Sequence, residues 1–153
     1  MNYLAEMHPF IVHFPIALLS LYIVLEIITY FIKNETLNII TTWILFIGII
    51  TAVNAVLSGN QAEHFASSFM DATSTLVEES IEGHEQLATY TLWYFLILLV
   101  VRYYLVQKKK MTKLFKGVLI ILALCGGILI FQTGITGGNL VYKYGVGTEF
   151  FNK

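Results

Sequence analysis

Charged residues and cysteine are scarce in this chain. Only 12% of its 153 residues are charged, 57% are hydrophobic, and the mean hydropathy is +0.73. Because about a quarter of the residues of a soluble domain are charged, this composition excludes an ordinary soluble domain and predicts an integral membrane protein. The net charge of -1 also argues against a nucleic-acid partner.

Several site motifs are missing as well. The single cysteine, Cys125, lies in an apolar run, so an intrachain disulfide is excluded, and without a C-x-x-C-H motif there is no attachment point for covalently held haem. The sequence contains no G-x-S-x-G elbow, no phosphate-binding loop and no H-E-x-x-H zinc motif. We therefore assign no catalytic residue and favour a binding or electron-transfer protein over an enzyme.

Four long apolar segments are present instead, at residues 11–32, 37–58, 87–106 and 114–135. Each is close to the roughly 20 residues that a helix needs to cross the hydrocarbon layer. We expect an all-α, antiparallel four-helix bundle that forms one membrane domain over residues 1–153. Residues 1–7 contain no Lys or Arg, so the first segment is interpreted as a retained span and not as a cleaved signal.

The long connection at residues 59–86 contains six acidic residues and no Lys or Arg. Its composition favours helix, so we expect extensions of the second and third spans beyond the membrane, with a turn at residues 71–74. The two short connections, around residues 33–35 and 108–113, hold most of the basic residues. Because short basic loops stay in the cytoplasm, both termini and the acidic segment are predicted to lie outside, in a multi-pass protein of a bacterial inner membrane.

All four histidines then fall on the outer side. His8 and His13 begin the first span, His64 follows the second, and His84 precedes the third. A single histidine at a membrane interface is commonly just an anchor, but four on one side favour a ligand site. We rank His13 first as a ligand because it lies deepest, then His84, then His64 and His8.

Two kinds of ligand fit these residues. A b-type haem needs two imidazoles from opposed helices and an apolar slot. The glycine and alanine stripes on the second and fourth spans are first explained by close helix packing, and the alternative is that they leave room for such a macrocycle. A copper or zinc ion needs three or four imidazoles, with Glu63 or Glu85 as extra ligands or as groups that orient them. We favour a haem-binding electron-transfer subunit, with a copper or zinc protein, or a cofactor-free scaffold for a redox partner protein, as alternatives. Lys143, in the glycine-rich tail that we expect to fold back after Gly137 and Gly138, would face a haem propionate or Glu63.

One pair of opposite charges lies inside the spans. Glu26 in the first span and Arg102 in the third are each one to two turns from the inner end of their span, so they lie at similar depth. Ions within the membrane usually pair. We predict a structural ion pair and favour it over a proton-relay role for Glu26.

The ends of the chain resemble a known family. Residues 8–17, His-Pro-Phe-Ile-Val-His-Phe-Pro-Ile-Ala, resemble the opening motif of the domain of unknown function 2231 family, and the glycine-rich residues 137–147 resemble its closing motif. The resemblance implies a four-helix bacterial membrane protein without an established activity. Some relatives carry the domain beside Rieske or cytochrome c domains, which suggests redox chemistry by analogy only.

The predicted orientation can be tested by cysteine labelling. In a Cys125→Ser background, Glu79→Cys should react with an impermeant maleimide in intact spheroplasts, whereas Lys110→Cys should react only after lysis. The opposite labelling pattern would refute the orientation.

Overall fold

The computed structural model describes residues 3–67 and 75–148, and the secondary structure of these residues is helical. The helices are α1 Tyr3–Ile11, α2 His13–Phe31, α3 Glu35–Ser67, α4 Thr75–Gln107 and α5 Lys113–Tyr142. Four stretches are long and apolar enough to cross a membrane, with α1 and α2 together forming the first, Ala5–Phe31. As predicted, the second and third spans extend as helices into the acidic segment, α3 to Ser67 and α4 from Thr75. The predicted turn at 71–74 lies outside the described residues.

The first span is interrupted once, at Val12. Pro15 has no N–H group to donate to the carbonyl oxygen of Ile11, so one backbone hydrogen bond of the helix is missing there. Val12 nevertheless keeps helical dihedral angles and bonds to the carbonyl group of His8 at 3.1 Å. The chain therefore stays helical through both prolines, and His8 lies within α1, not ahead of the span.

Side-chain contacts fix how the helices pack. α2 packs against α3 and α5, and α4 packs against the same two helices, so α2 and α4 are diagonal to each other across the bundle, while α1 packs on α3. His8 contacts Ser58, and Leu19, further along the first span, contacts Gly48, which comes earlier in α3. At these contacts the first span and α3 run in opposite directions.

The two halves of the bundle repeat one burial pattern. Glu26 and Arg102 are separated by 76 residues, and the same interval relates every buried residue of the described first span to a buried residue of α4. The pairs are Ala5 and Ile81, Pro15 and Thr91, Leu19 and Phe95, Tyr22 and Leu98, Glu26 and Arg102, and Thr29 and Leu105. An interval of 78 residues relates Thr41, Leu45 and Gly48 of α3 to Leu119, Ala123 and Gly126 of α5. The bundle therefore consists of two similar helical hairpins around a pseudo-twofold axis along the bundle.

Polarity is distributed as in a membrane bundle. Large apolar side chains such as Phe31, Trp43 and Ile97 are exposed, whereas charged and hydroxyl side chains such as Glu26, Thr41 and Arg102 are fully buried. In lipid, the exposure of an apolar side chain carries no free-energy penalty, whereas polar groups must find partners inside the protein.

The predicted ion pair lies toward the end of the bundle where α2 and α4 end and α3 and α5 begin. Arg102 Nε donates to Glu26 Oε2 at 2.6 Å, and both side chains have no exposed surface. The guanidinium also donates to the carbonyl oxygen of Asn38, at 2.8 Å, and to the hydroxyl of Thr42. The pair crosses the diagonal between α2 and α4 and is tied to α3.

Two glycines allow close helix packing. A Cβ atom at Gly126 would lie 2.6 Å from Cζ of the buried Phe95 ring, and one at Gly48 would lie 2.8 Å from Leu19 Cδ2. Because Leu19 and Phe95 occupy equivalent positions in the two hairpins, each hairpin closes on a glycine at the same level.

Neutralising one member of the ion pair should cost more than neutralising both. We expect Glu26→Gln and Arg102→Met each to lower the free energy of unfolding in detergent by about 3–5 kcal/mol, because a buried charge loses its partner. The double variant should be more stable than the less stable single variant. If it is not, the two side chains do not stabilise each other.

The glycine contact predicts a second stability difference. Gly126→Ala should destabilise the protein by about 1–3 kcal/mol, because the rigid Phe95 ring cannot move away. Gly134→Ala on the same helix is the matched control, since a Cβ atom there would meet nothing within 4 Å. Equal thermal stability of the two variants would contradict the packing argument.

Candidate outer histidine site

His8 is fixed on α1 by a hydroxyl group of α3. Its Nδ1 atom lies 2.9 Å from Ser58 Oγ. Ser58 Oγ in turn donates to the carbonyl oxygen of Ala55 at 3.0 Å. With the Ser58 proton directed to Ala55, Ser58 accepts the hydrogen bond from His8, which assigns the imidazole proton to Nδ1.

His84 repeats this arrangement on α4. Its Nδ1 atom lies 2.8 Å from Thr136 Oγ1 of α5, and Thr136 Oγ1 donates to the carbonyl oxygen of Thr133 at 3.0 Å. The same assignment applies, so Nδ1 of His84 is also the donor. We call His8, Ser58, His84 and Thr136 the outer histidine site.

The hydrogen bonds determine which nitrogen can bind a ligand. With the proton on Nδ1, Nε2 of each neutral imidazole carries a free lone pair, and a second group that holds Nδ1–H is the usual companion of a metal-bound histidine. Within residues 3–67 and 75–148, neither Nε2 atom has a hydrogen-bond partner. The two half-buried imidazoles also interact electrostatically with each other. His8 on α1 and His84 on α4 thus each present one lone-pair donor.

A glycine lies against each ring. A Cβ atom at Gly59 would lie 3.2 Å from His8 Cε1, and one at Gly137 would lie 3.0 Å from His84 Cε1. These two glycines are 78 residues apart, as are Ser58 and Thr136. Each imidazole therefore contacts the backbone of the neighbouring helix, which restricts the orientation of its ring.

The other two histidines are placed differently. His13, ranked first from the sequence, is exposed on the outer surface of α2. The expectation that it faces the bundle interior is wrong, because five residues separate it from His8 and place the two on different helix faces. His64 is exposed on α3 and interacts electrostatically with Glu63.

The acidic residues suggested as metal ligands contact each other. The carboxyl groups of Glu63 and Glu85 interact with each other. With its amide nitrogen turned toward α4, Asn60 donates to Glu85 Oε1 at 3.1 Å. In the described part of the chain, no three residues among the histidines, acids and cysteine are grouped so that they could hold a metal ion.

The tail also differs from its prediction. Gly137 and Gly138 do not end the fourth span, because α5 continues to Tyr142. The reversal comes later, where Gly145 and Gly147 adopt positive φ angles of 72° and 78°. Lys143 is exposed, and its Nζ atom lies 4.9 Å from the centroid of the Tyr144 ring, a cation–π contact.

Sequence reasoning missed the residues that orient the two imidazoles, namely Ser58, Thr136, Gly59 and Gly137. The sequence does contain a signal for these residues, which is the spacing between its two halves. His8 and His84 are 76 residues apart, and the Ser-Gly pair at 58–59 and the Thr-Gly pair at 136–137 are 78 residues apart. Comparing the two halves of the sequence at these intervals would have selected His8 and His84 over His13 and His64.

Comparison with known proteins gives one match. No curated protein and no solved structure matches the chain. The family described as "Predicted membrane protein (DUF2231)" matches residues 5–149 and so includes the outer histidine site and all four apolar spans. The chain therefore belongs to the DUF2231 family of predicted membrane proteins.

Proposed function

We propose that this membrane protein binds one b-type haem between His8 and His84 and acts as an electron-transfer subunit. The observation that carries the proposal is the paired arrangement of the two histidines, in which a hydroxyl group fixes each Nδ1–H and leaves each Nε2 free. Haem, when bound, would supply one-electron chemistry. The protein would supply two axial imidazoles of defined tautomer.

The surroundings of the two imidazoles support a flat, apolar ligand with two bonding positions. The two rings belong to elements of opposite hairpins related by the pseudo-twofold axis, so a group between them meets the same bonding atom on both sides. Gly59 and Gly137 keep side-chain bulk away from the rings. A zinc site would call for three or four protein ligands in a tetrahedron, whereas bis-imidazole haem calls for two.

The roles of the remaining residues follow from this assignment. Ser58 and Thr136 would act as positioning residues, because they hold Nδ1–H and thereby orient Nε2. His13 lies on the exposed surface of α2 and would have no axial role. A redox partner protein would approach from the side of the bundle where His8 and His84 lie.

Haem binding can be tested by visible spectroscopy. The purified protein, supplied with haemin during expression, should give the reduced-minus-oxidised spectrum of a low-spin b-type haem. His8→Ala and His84→Ala should each abolish this spectrum, because either change removes one axial ligand. His13→Ala is the matched control and should leave the spectrum unchanged.

The positioning residues give a finer readout. Ser58→Ala and Thr136→Ala should retain low-spin haem but weaken its binding by about 10–100-fold, since they remove a group that orients a ligand. Wild-type protein without haem after haemin supply, or variants of both histidines with an unchanged spectrum, would refute the proposal. Copper or zinc in metal analysis of the same sample, without haem, would favour the metal alternative instead.

A further inference from the structure

A second polar cluster lies at the opposite end of the bundle from the outer histidine site. All four spanning stretches contribute to it, and we call it the inner polar site. It comprises Tyr22, Glu26 and Thr29 of α2, Asn38 and Thr42 of α3, Arg102 of α4, and Lys116 of α5. Lys116 Nζ donates to the carbonyl oxygen of Thr29 and interacts electrostatically with both Glu26 and Arg102.

The charges of this site do not cancel. Arg102 and Lys116 carry two positive formal charges and Glu26 carries one negative charge, which leaves an excess of one positive charge. Glu26 and Arg102 are 0% exposed and Lys116 is 5% exposed. An uncompensated charge in apolar surroundings is costly, so buried charges in membrane spans are normally balanced.

The site also contains polar atoms that lack partners. Among the described residues, the buried atoms without a hydrogen-bond partner are Tyr22 Oη, Glu26 Oε1, Asn38 Oδ1 and Arg102 NH2, and all four belong to this site. The phenol of Tyr22 interacts with the carboxylate of Glu26, so the donor that remains without an acceptor is Nη2 of Arg102. The ammonium group of Lys116 has three protons, of which one bonds to Thr29. Unused donors therefore accompany the excess positive charge.

We propose that the inner polar site binds one small inorganic anion, such as chloride, held by Arg102 and Lys116. The anion makes the cluster electrically neutral and accepts hydrogen bonds from Arg102 Nη2 and from the Lys116 ammonium group. The anion must be small, because the side chains around it are buried. The neighbouring loops are basic, and Lys33 interacts electrostatically with Lys116, so the local potential attracts anions to this end of the bundle.

Chloride-dependent stability tests the site without any use of haem. The thermal midpoint of the purified protein in detergent is measured against chloride concentration, with sodium gluconate holding ionic strength constant, because gluconate is too large for an enclosed site. A bound anion raises the midpoint as its concentration passes the dissociation constant. We expect a saturable increase with chloride and with bromide for the wild-type protein.

The variants separate this site from general salt effects. Lys116→Gln should lose the chloride-dependent increase, whereas Lys113→Gln, which changes an exposed lysine one turn earlier on α5, should retain it. Lys116→Arg keeps the charge and should retain the increase, which covers the case in which Lys116→Gln does not fold. A wild-type midpoint that does not depend on the replacement of gluconate by chloride would refute the proposal, as would identical responses of Lys116→Gln and Lys113→Gln.

Discussion

The ion pair between Glu26 and Arg102 is the interaction on which the arrangement of the bundle depends. It joins the two diagonal helices, α2 and α4, whose backbones do not contact each other. Arg102 also bonds to Asn38 and Thr42, which links the pair to α3. In an apolar environment neither charge could be left without the other. The pair therefore fixes the depth and rotation of α2 relative to α4, and the positions of the residues further along these helices follow from it.

Those positions include the outer histidine site. His8 precedes Glu26 by the same number of residues as His84 precedes Arg102, so an arrangement that places the ion pair on the pseudo-twofold axis also places the two imidazoles symmetrically about it. The two pairs have different chemistry, however. The two equivalent residues of the ion pair carry opposite charges that attract each other, whereas His8 and His84 are identical imidazoles, each with its own hydroxyl partner. Two identical side chains on an axis do not attract each other, and this is why we assign a ligand to the outer end.

Much of the fold followed from hydropathy and charge. The four spans were predictable because about 20 consecutive apolar residues have few other stable environments, and the Glu26–Arg102 contact was predictable from equal depth alone. The extensions of α3 and α4 into residues 59–86 were also predictable from composition, whereas the end of the fourth span was not, because Gly137 and Gly138 lie inside α5. Glycine is tolerated within membrane helices because neighbouring helices support the backbone.

The histidine site was only half predictable from the sequence. Depth along the first span selected His13, but which face a helix turns inward depends on packing against its neighbours, and α1 packs on α3 through His8. A side chain one or two turns away can thus be on the lipid side at a similar depth. The contacts to Ser58 and Thr136 join residues 50 and 52 positions apart, and no local pattern indicates contacts over such separations.

The apolar layer between the two polar regions limits how they can communicate. Leu19 and Phe95, with exposures of 3% and 0%, fill the level between the outer histidine site and Tyr22, and each packs against a glycine of the neighbouring helix. The hydroxyl groups nearest this layer on the outer side, those of Thr91 and Thr133, bond to each other at 3.1 Å. Leu19 and Phe95 themselves provide no polar group along which a proton could move. The two polar regions are thus separated by an apolar layer, and the proposed electron transfer at the outer histidine site would not depend on the inner charges.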